Sequence, residues 1–168
     1  MRAAAVFLSA LVFVACGIPR DPEGTLDRAT GGTITVGAIE AEPWVVVEGD
    51  EPRDGIEVEL VERLAASIDA DVRWVIGSEE ELLSALELGE LDLVVGGLTA
   101  TNPWSGKVTF TRPYVTRLED VGMLEPATDP TETEHVFAIR HGENAWLSAI
   151  ERFLDGQDVP TLLDGAAA

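Results

Sequence analysis

The residues of this 168-residue chain best suited to recognise another molecule sit in one short loop and beside it. Gly97, Leu98, Thr99 and Thr101 follow a compact apolar run, Leu93 to Val95. Glycines at 96 and 97 let the backbone approach a ligand closely and present amide hydrogens to an anionic or carbonyl group. Thr99 and Thr101 add hydroxyls, and for Thr99 a turn bond to its own backbone is the alternative use. Trp44, Trp104 and Tyr114 supply aromatic faces, and Glu40, Glu42 and Glu57 supply carboxylates, the combination that a cation–π site requires. A competing assignment packs Tyr114 at the base of the loop. It leaves Trp104 to cap exposed core or to anchor a protein partner, a role in which tryptophan is enriched.

Bond-breaking chemistry has little support. The chain contains no His-Glu-x-x-His, no Cys-x-x-Cys and no glycine-rich phosphate loop followed by lysine, so no motif calls for a cofactor or a metal. His135 and His141 flank a predicted strand and read as edge or turn histidines. Glu79, Glu80 and Glu81 read as helix-dipole and solvation residues. A carboxylate-based enzyme is the weakest of three functional readings. Eleven basic residues face 31 acidic ones, a formal charge of −20. Long-range repulsion on that scale opposes nucleic acid and anionic membrane surfaces as partners. An acidic, solubilising surface explains the charge; a field that concentrates cationic solutes is the sharper alternative.

These residues need a scaffold, and the hydrophobic pattern supplies one. Thr33 to Ile39 is β-branched and strand-like, and Pro43 to Val47 continues as an edge segment. Ile56 to Ile68 is an amphipathic helix with Leu60, Val61, Leu64, Ala65 and Ile68 on one stripe. Val72 to Ile76 is a second strand. Ser78 is a candidate N-cap for a helix that buries Leu82, Leu83 and Leu86 and stops at Gly89. Leu91 to Val95 is a strand of the buried parallel type. Alternating strands and helices imply right-handed crossovers and an α/β fold with a doubly wound, mostly parallel sheet and helices on both faces. Ligands of such sheets lie beyond the carboxyl ends of the strands, where strand order reverses. That rule gathers Pro43, Trp44 and the Gly97 to Thr101 loop around one shallow site.

The N-terminus reads as a processed targeting segment over residues 1–15, with Arg2 before the apolar run Ala3 to Val14. That run is shorter than the roughly 20 residues a membrane span needs. Cys16, the lone cysteine, ends Phe-Val-Ala-Cys, which resembles a lipobox despite Phe13 in place of the usual leucine. Lipid attachment at Cys16 is the expected use, with an ordinary secretory signal as the alternative. Residues 16–32 are polar and rich in glycine and proline, and read as a flexible tether.

The stretch from Gly89 to Tyr114, GELDLVVGGLTATNPWSGKVTFTRPY, resembles the ligand-loop signature of bacterial extracytoplasmic solute-binding proteins of family 3. The matching pieces are Gly89 to Asp92, Leu93 to Gly96, Gly97 to Thr99 and Phe110 to Tyr114. GIEVELVERLA at Gly55 to Ala65 is similar to that family's helix entry, and HVFAIRHGENAWL at His135 to Leu147 resembles its return strand and last helix. The resemblance implies a periplasmic-binding-protein-like lobe in two segments, residues 33–124 and 135–156. They are joined by a shortened crossover loop at 125–134 and followed by a tail at 157–168. A further strand is expected at Leu118 to Leu124. A second lobe needs about 80 residues, which this crossover does not offer, so the second lobe is expected to be absent.

The resemblance also implies a function and its changes. The family's two clamping aromatics fall at Ala41 and Glu79, and its carboxylate-binding arginine falls at Trp104. The expected protein is an extracytoplasmic receptor, lipid-anchored at Cys16 to the cell membrane and associated with an ABC permease. It would hold a small polar or cationic solute weakly, or with a partner completing the site. The alternative is a non-enzymatic docking or sensor module that turns the former ligand edge, Trp104 included, toward a membrane protein. Some relatives are dehydratases or carry a lytic transglycosylase domain, and no such added domain is expected here.

Overall fold

The computed structural model describes residues 21–117 and 132–157. The elements run α1 (Thr25–Ala29), β1 (Thr33–Ala38), β2 (Val46–Glu48), β3 (Glu51–Asp54), α2 (Ile56–Ser67) and β4 (Asp71–Ile76). They continue with α3 (Glu79–Leu88), β5 (Leu93–Val95), a 3-10 turn at Pro103–Gly106, β6 (Val108–Phe110) and β7 (Tyr114–Arg117). The last three are β8 (Glu132–His135), β9 (Ala138–Arg140) and α4 (Asn144–Leu154). A five-stranded sheet takes the order β4-β1-β5-β9-β6, with β1 parallel to both β4 and β5 and with β9 antiparallel to its neighbours. The mostly parallel α/β sheet predicted from the hydrophobic pattern is therefore present as one lobe.

Period-two alternation along the strands divides the core into two layers. Ile34, Val36, Leu93, Val95 and Ile139 pack with Leu60, Val61 and Leu64 of α2 and with Trp146 and Ile150 of α4. Val94, Ala138 and Val108 face the other way, against Leu82, Leu83 and Leu86 of α3. Trp146 is completely buried, and its indole N–H donates to the Asp92 carbonyl at 2.9 Å, which ties α4 to the entrance of β5.

Helix α3 begins and ends as its sequence dictates. The Ser78 hydroxyl accepts the Glu81 amide at 3.4 Å, and the Glu81 carboxylate accepts the Ser78 amide at 3.1 Å, a reciprocal capping box. Gly89 closes the helix in the left-handed region at φ 80°. Ser78→Ala should cost about 1 kcal/mol of unfolding free energy, measured by urea denaturation, because one helix-end donor loses its acceptor.

Two segments depart from the sequence expectation. Residues 21–32 are not a free tether: α1 forms there, with Thr25 and Ala29 buried. The Asp21 carboxylate accepts the Leu26 amide at 2.7 Å, and Glu143 accepts the amides of Glu23 and Thr25 at 3.1 and 3.4 Å. Arg28 completes the dock with a two-pronged pair to Asp92 at 2.7 and 3.3 Å. Capping by Glu143, about 120 positions away along the chain, gives the segment an order that its own composition does not. The second departure is at the expected crossover loop, where β8 begins at Glu132 and pairs antiparallel with β7. Cys16, the leader, the strand expected at Leu118 to Leu124 and the tail from residue 158 lie outside the described residues. Among the described residues, no helix is long and apolar enough to cross a membrane.

Candidate functional site

Strand β4 lies on one side of β1 and β5 on the other, so strand order reverses between β1 and β5. The loops leaving the carboxyl ends of these two strands meet there, as doubly wound sheets require of a binding crevice. After β1, the chain turns back on itself: the Trp44 and Val45 amides donate to the Ala41 carbonyl at 2.8 and 2.9 Å. After β5 come Gly96 and Gly97. A side chain at Gly96 (φ 140°) would place its Cβ 2.4 Å from the Cβ of Ile39, so the two loops touch only because Gly96 has none. Gly97 lies against Trp44 and Ala41.

The site residues separate into two groups. Trp44 is half-buried and stacks on His135 with ring centroids 4.3 Å apart, and His135 packs in turn against Tyr114 at 6.0 Å. Thr99 and Thr101 share a hydroxyl hydrogen bond at 3.2 Å on the exposed side of the loop. The main chain at Thr99 bridges to His135, with the Val136 amide on the Leu98 carbonyl at 2.9 Å. Trp104 belongs elsewhere. It packs on the α3 layer, its amide is capped by Asn102 at 3.0 Å, and the Lys107 ammonium sits 4.7 Å above its ring. A cation–π partner is thus supplied from within the chain.

Several expectations change with this geometry. Tyr114 is buried, and its hydroxyl donates to the Glu57 carboxylate, itself fully buried. An aromatic box of Trp44, Trp104 and Tyr114 with Glu57 open to a solute is therefore not formed. Leu98 is a core residue of the α3 layer. The glycine amides are not offered outward: Gly96 and Gly97 both donate to Glu57, at 2.5 and 3.1 Å, and Ala100 donates to the Glu134 carbonyl at 3.3 Å. What the edge presents to solvent is the Thr99–Thr101 hydroxyl pair, with the half-buried Trp44 beside it.

Two residues of this edge have roles that sequence reasoning missed. Glu57 left a signal, because it falls one helical turn before Leu60 and Val61 on the buried stripe of α2 while Glu59 and Glu62 point away. Burial pushes its pKa up to about 7, against the downward pull of the Tyr114 hydroxyl and the two glycine amides. Burial, then the charge and hydrogen bond of Glu57, push the Tyr114 phenol above its ordinary value. His135, read as an edge histidine, is 2% exposed. Burial lowers its pKa, so the ring is neutral at pH 7. The backbone of Gly97 and Leu98 lies near enough to favour its charged form, yet among the described residues neither ring nitrogen reaches a partner in hydrogen-bond geometry, nor does the Trp44 indole nitrogen. A histidine at a strand end has no local signature of such burial.

At the opposite end of the sheet a cavity of about 310 Å³ is lined by Arg28, Arg73, Arg140, Glu23, Asp92 and neighbours. Its charges largely answer one another, through the Arg28–Asp92 pair and a looser Arg140–Glu23 contact at 3.7 Å. Among the described residues, no group of three or more histidine, cysteine, aspartate or glutamate side chains is arranged to hold a metal ion.

The chain is 28% identical over 141 residues to membrane-bound lytic murein transglycosylase F of Maricaulis maris, covering 80% of this chain and 31% of that protein. It is 26% identical over 110 residues to a probable histidine-binding protein of Campylobacter jejuni, covering 65% and 43%. The chain thus spans less than half the length of these curated relatives. Among solved structures, an ancestral cationic amino acid solute-binding protein, AncCDT-1, superimposes with a TM-score of 0.69 at 16% identity, covering 84% of this chain and 99% of that one. The arginine-bound form of domain 1 from TmArgBP superimposes with a TM-score of 0.61 at 19% identity, covering 78% and 98%. These likenesses show the fold of the lobe. The family model for bacterial extracellular solute-binding proteins, family 3, matches residues 34–158, from β1 through α4, and the chain belongs to that family.

Proposed function

We propose that this protein is an extracytoplasmic solute receptor, anchored through lipid on Cys16, whose single lobe holds a small polar or cationic solute at the β1/β5 edge. Binding is weak, or is completed by a membrane partner such as an ABC permease. The observation that carries this reading is the meeting of the two post-strand loops at the switch point, with the Thr99–Thr101 hydroxyl pair on the open side and the half-buried Trp44 beside it. A solute there meets one wall, whereas tight sites enclose about 70–90% of a small ligand. Arginine bound to domain 1 of TmArgBP is a precedent for a lobe that retains a ligand by itself. The reading is non-enzymatic, because the buried carboxylate and histidine of the edge are closed off from a solute.

A docking module for a membrane protein is the second reading, and one observation favours it. Glu57 and Glu134 already use the amides of Gly96, Gly97 and Ala100, which leaves few donors for a free carboxylate. Calorimetry with L-arginine, pooled amino acids, polyamines and betaines separates the two. A dissociation constant below about 10 µM for any of them, about −7 kcal/mol, would exclude a pure docking module.

Trp104 packs on the α3 layer beneath Lys107, so Trp104→Arg tests whether a guanidinium at this position reaches the edge. A gain of about tenfold or more for an α-amino acid, the size of one charge-assisted contact to a carboxylate at about 1.5–3 kcal/mol, would show that it does, and an unchanged affinity would show that the edge takes no carboxylate contact from this layer.

A further inference from the structure

The charged groups that line the cavity at the far end of the sheet divide into those already engaged and those still available. Asp92 accepts the Arg28 fork and the Thr35 amide, and Glu143 accepts the amides of Glu23 and Thr25. These contacts dock α1, and they leave four charged side chains. Arg73 donates from Nη2 to the Thr35 hydroxyl at 2.8 Å, a neutral partner. Arg140 approaches the Glu23 carboxylate only to 3.7 Å, outside hydrogen-bond reach. Glu90 is exposed at the rim, and among the described residues its carboxylate forms no ion pair.

Topology sets these four around one space. Strands β4 and β5 flank β1, so Arg73 on β4 and Glu90, just before β5, line the cavity from opposite sides of that strand. Arg73 leans over β1 to reach Thr35, which carries its charge toward the β5 side. The Arg140 guanidinium lies against the end of α3, where a Cβ on Gly89 would stand 2.7 Å from its Nη1 and where the last helical carbonyls favour a cation. Two guanidinium groups and two carboxylates are thus available together. A simple anion meets both forks but is repelled by both carboxylates, and a simple ammonium meets the reverse. A molecule carrying one charge of each sign is answered at both ends, with a guanidinium fork matched to its carboxylate. The volume of about 310 Å³ falls at the lower end of the range that holds small molecules.

We propose that this cavity is a second binding site, for a small zwitterion. Its carboxylate lies on Arg73 and Arg140, and its ammonium lies between Glu90 and Glu23. The site is at the opposite end of the sheet from the β1/β5 edge, so it does not depend on that edge holding a solute.

The test is an NMR titration of the ¹⁵N-labelled full chain at neutral pH with L-glutamine, and with acetate and ethylamine as its two halves. Amides of Thr35, Glu90 and Leu91 report the cavity, and those of Thr99 and Thr101 report the edge. L-Glutamine should shift the cavity amides saturably, and neither half should do so at the same concentration. Arg73→Gln should weaken that response about tenfold or more and leave any response at Thr99 and Thr101 unchanged. Glu90→Gln should narrow the gap between L-glutamine and acetate, a change of selectivity that a carboxylate with a purely structural role would not cause. Cavity amides that do not approach saturation by about 10 mM L-glutamine, or that respond equally to acetate, would overturn the proposal. Saturable shifts confined to Thr99 and Thr101 would support the receptor edge and overturn the second site; shifts confined to the cavity would do the opposite. Where Arg73→Gln does not fold, the wild-type comparison of L-glutamine with its halves decides.

Discussion

Trp146→Ala lowers the unfolding free energy by about 4 kcal/mol, the largest loss expected from a single core position of this lobe. The side chain is completely buried between α4 and the sheet, beside Leu93, Phe137 and Ile139 in the same apolar layer. Truncation removes its apolar contacts and leaves a cavity that neighbouring helices fill only in part. It also leaves the Asp92 carbonyl without the indole donor at 2.9 Å. Asp92 is a costly place to lose order, because its carboxylate accepts the Thr35 amide at 2.9 Å and holds Arg28 of α1. A domain of this size is stable by about 5–15 kcal/mol, so the loss is a large share of the total. With a urea slope of about 2 kcal/mol/M, the midpoint falls by about 2 M. Trp146→Phe separates the contributions. It keeps most of the ring volume and loses the hydrogen bond, so its cost should stay near 1–2 kcal/mol. Equal losses for the two variants would show that the hydrogen bond, and not the packing, carries the effect.

Gly96→Ala is the second substitution with a large expected effect, and it acts on the backbone. At φ 140° a Cβ would stand 2.4 Å from the Ile39 Cβ and 2.5 Å from the Ile39 carbonyl oxygen. Neither atom is the far end of a flexible side chain, so the loops after β1 and β5 must separate. Separation also draws the Gly96 amide away from Glu57 and loosens the pairing of the Ile39 amide with the Val95 carbonyl at 2.9 Å. Overpacking and disfavoured φ together cost about 3 kcal/mol or more. Gly97→Ala is the internal control. It also sits at positive φ, 66°, but its Cβ would meet Trp44 at 3.4 Å, an ordinary contact. Its cost should be confined to about 1–2 kcal/mol of backbone strain. Melting temperatures in the order wild type, Gly97→Ala, Gly96→Ala are expected; a Gly96→Ala protein that melts with the wild type would refute the close approach of the two loops.

Much of this architecture can be read from local pattern. The stripe of α2, the Ser78 to Glu81 capping box, the Gly89 stop and the buried strand before Gly96 are short-range features, and each forms where its residues ask for it. Once helices alternate with parallel strands, the crossover rule brings the loops after β1 and β5 to one edge. Of the hairpin of β2 and β3, Val46–Glu48 with Glu51–Asp54, only the start of β2 falls in the expected edge segment Pro43 to Val47; β3 was not legible, because it carries Pro52 and three charged residues.

The chemistry of the edge was less legible. Types and spacing suggested aromatic faces around a cation, with glycine amides free to donate. In the folded lobe Trp104 turns to the α3 layer and meets Lys107, Tyr114 is drawn inward by Glu57, and the glycine amides are spent on the same carboxylate. The sequence by itself determined the α/β alternation, the family resemblance and the meeting of the loops after β1 and β5, because periodicity and capping act over a few residues. The tertiary structure alone decided which polar groups remain open there. Glu57 meets its partners 39, 40 and 57 positions away, and α1 is capped from nearly 120 positions away. Helical period says which face of α2 is buried. What lies against that face, and whether a carboxyl group there meets water, a cation or only amides and a phenol, depends on contacts that no local pattern encodes.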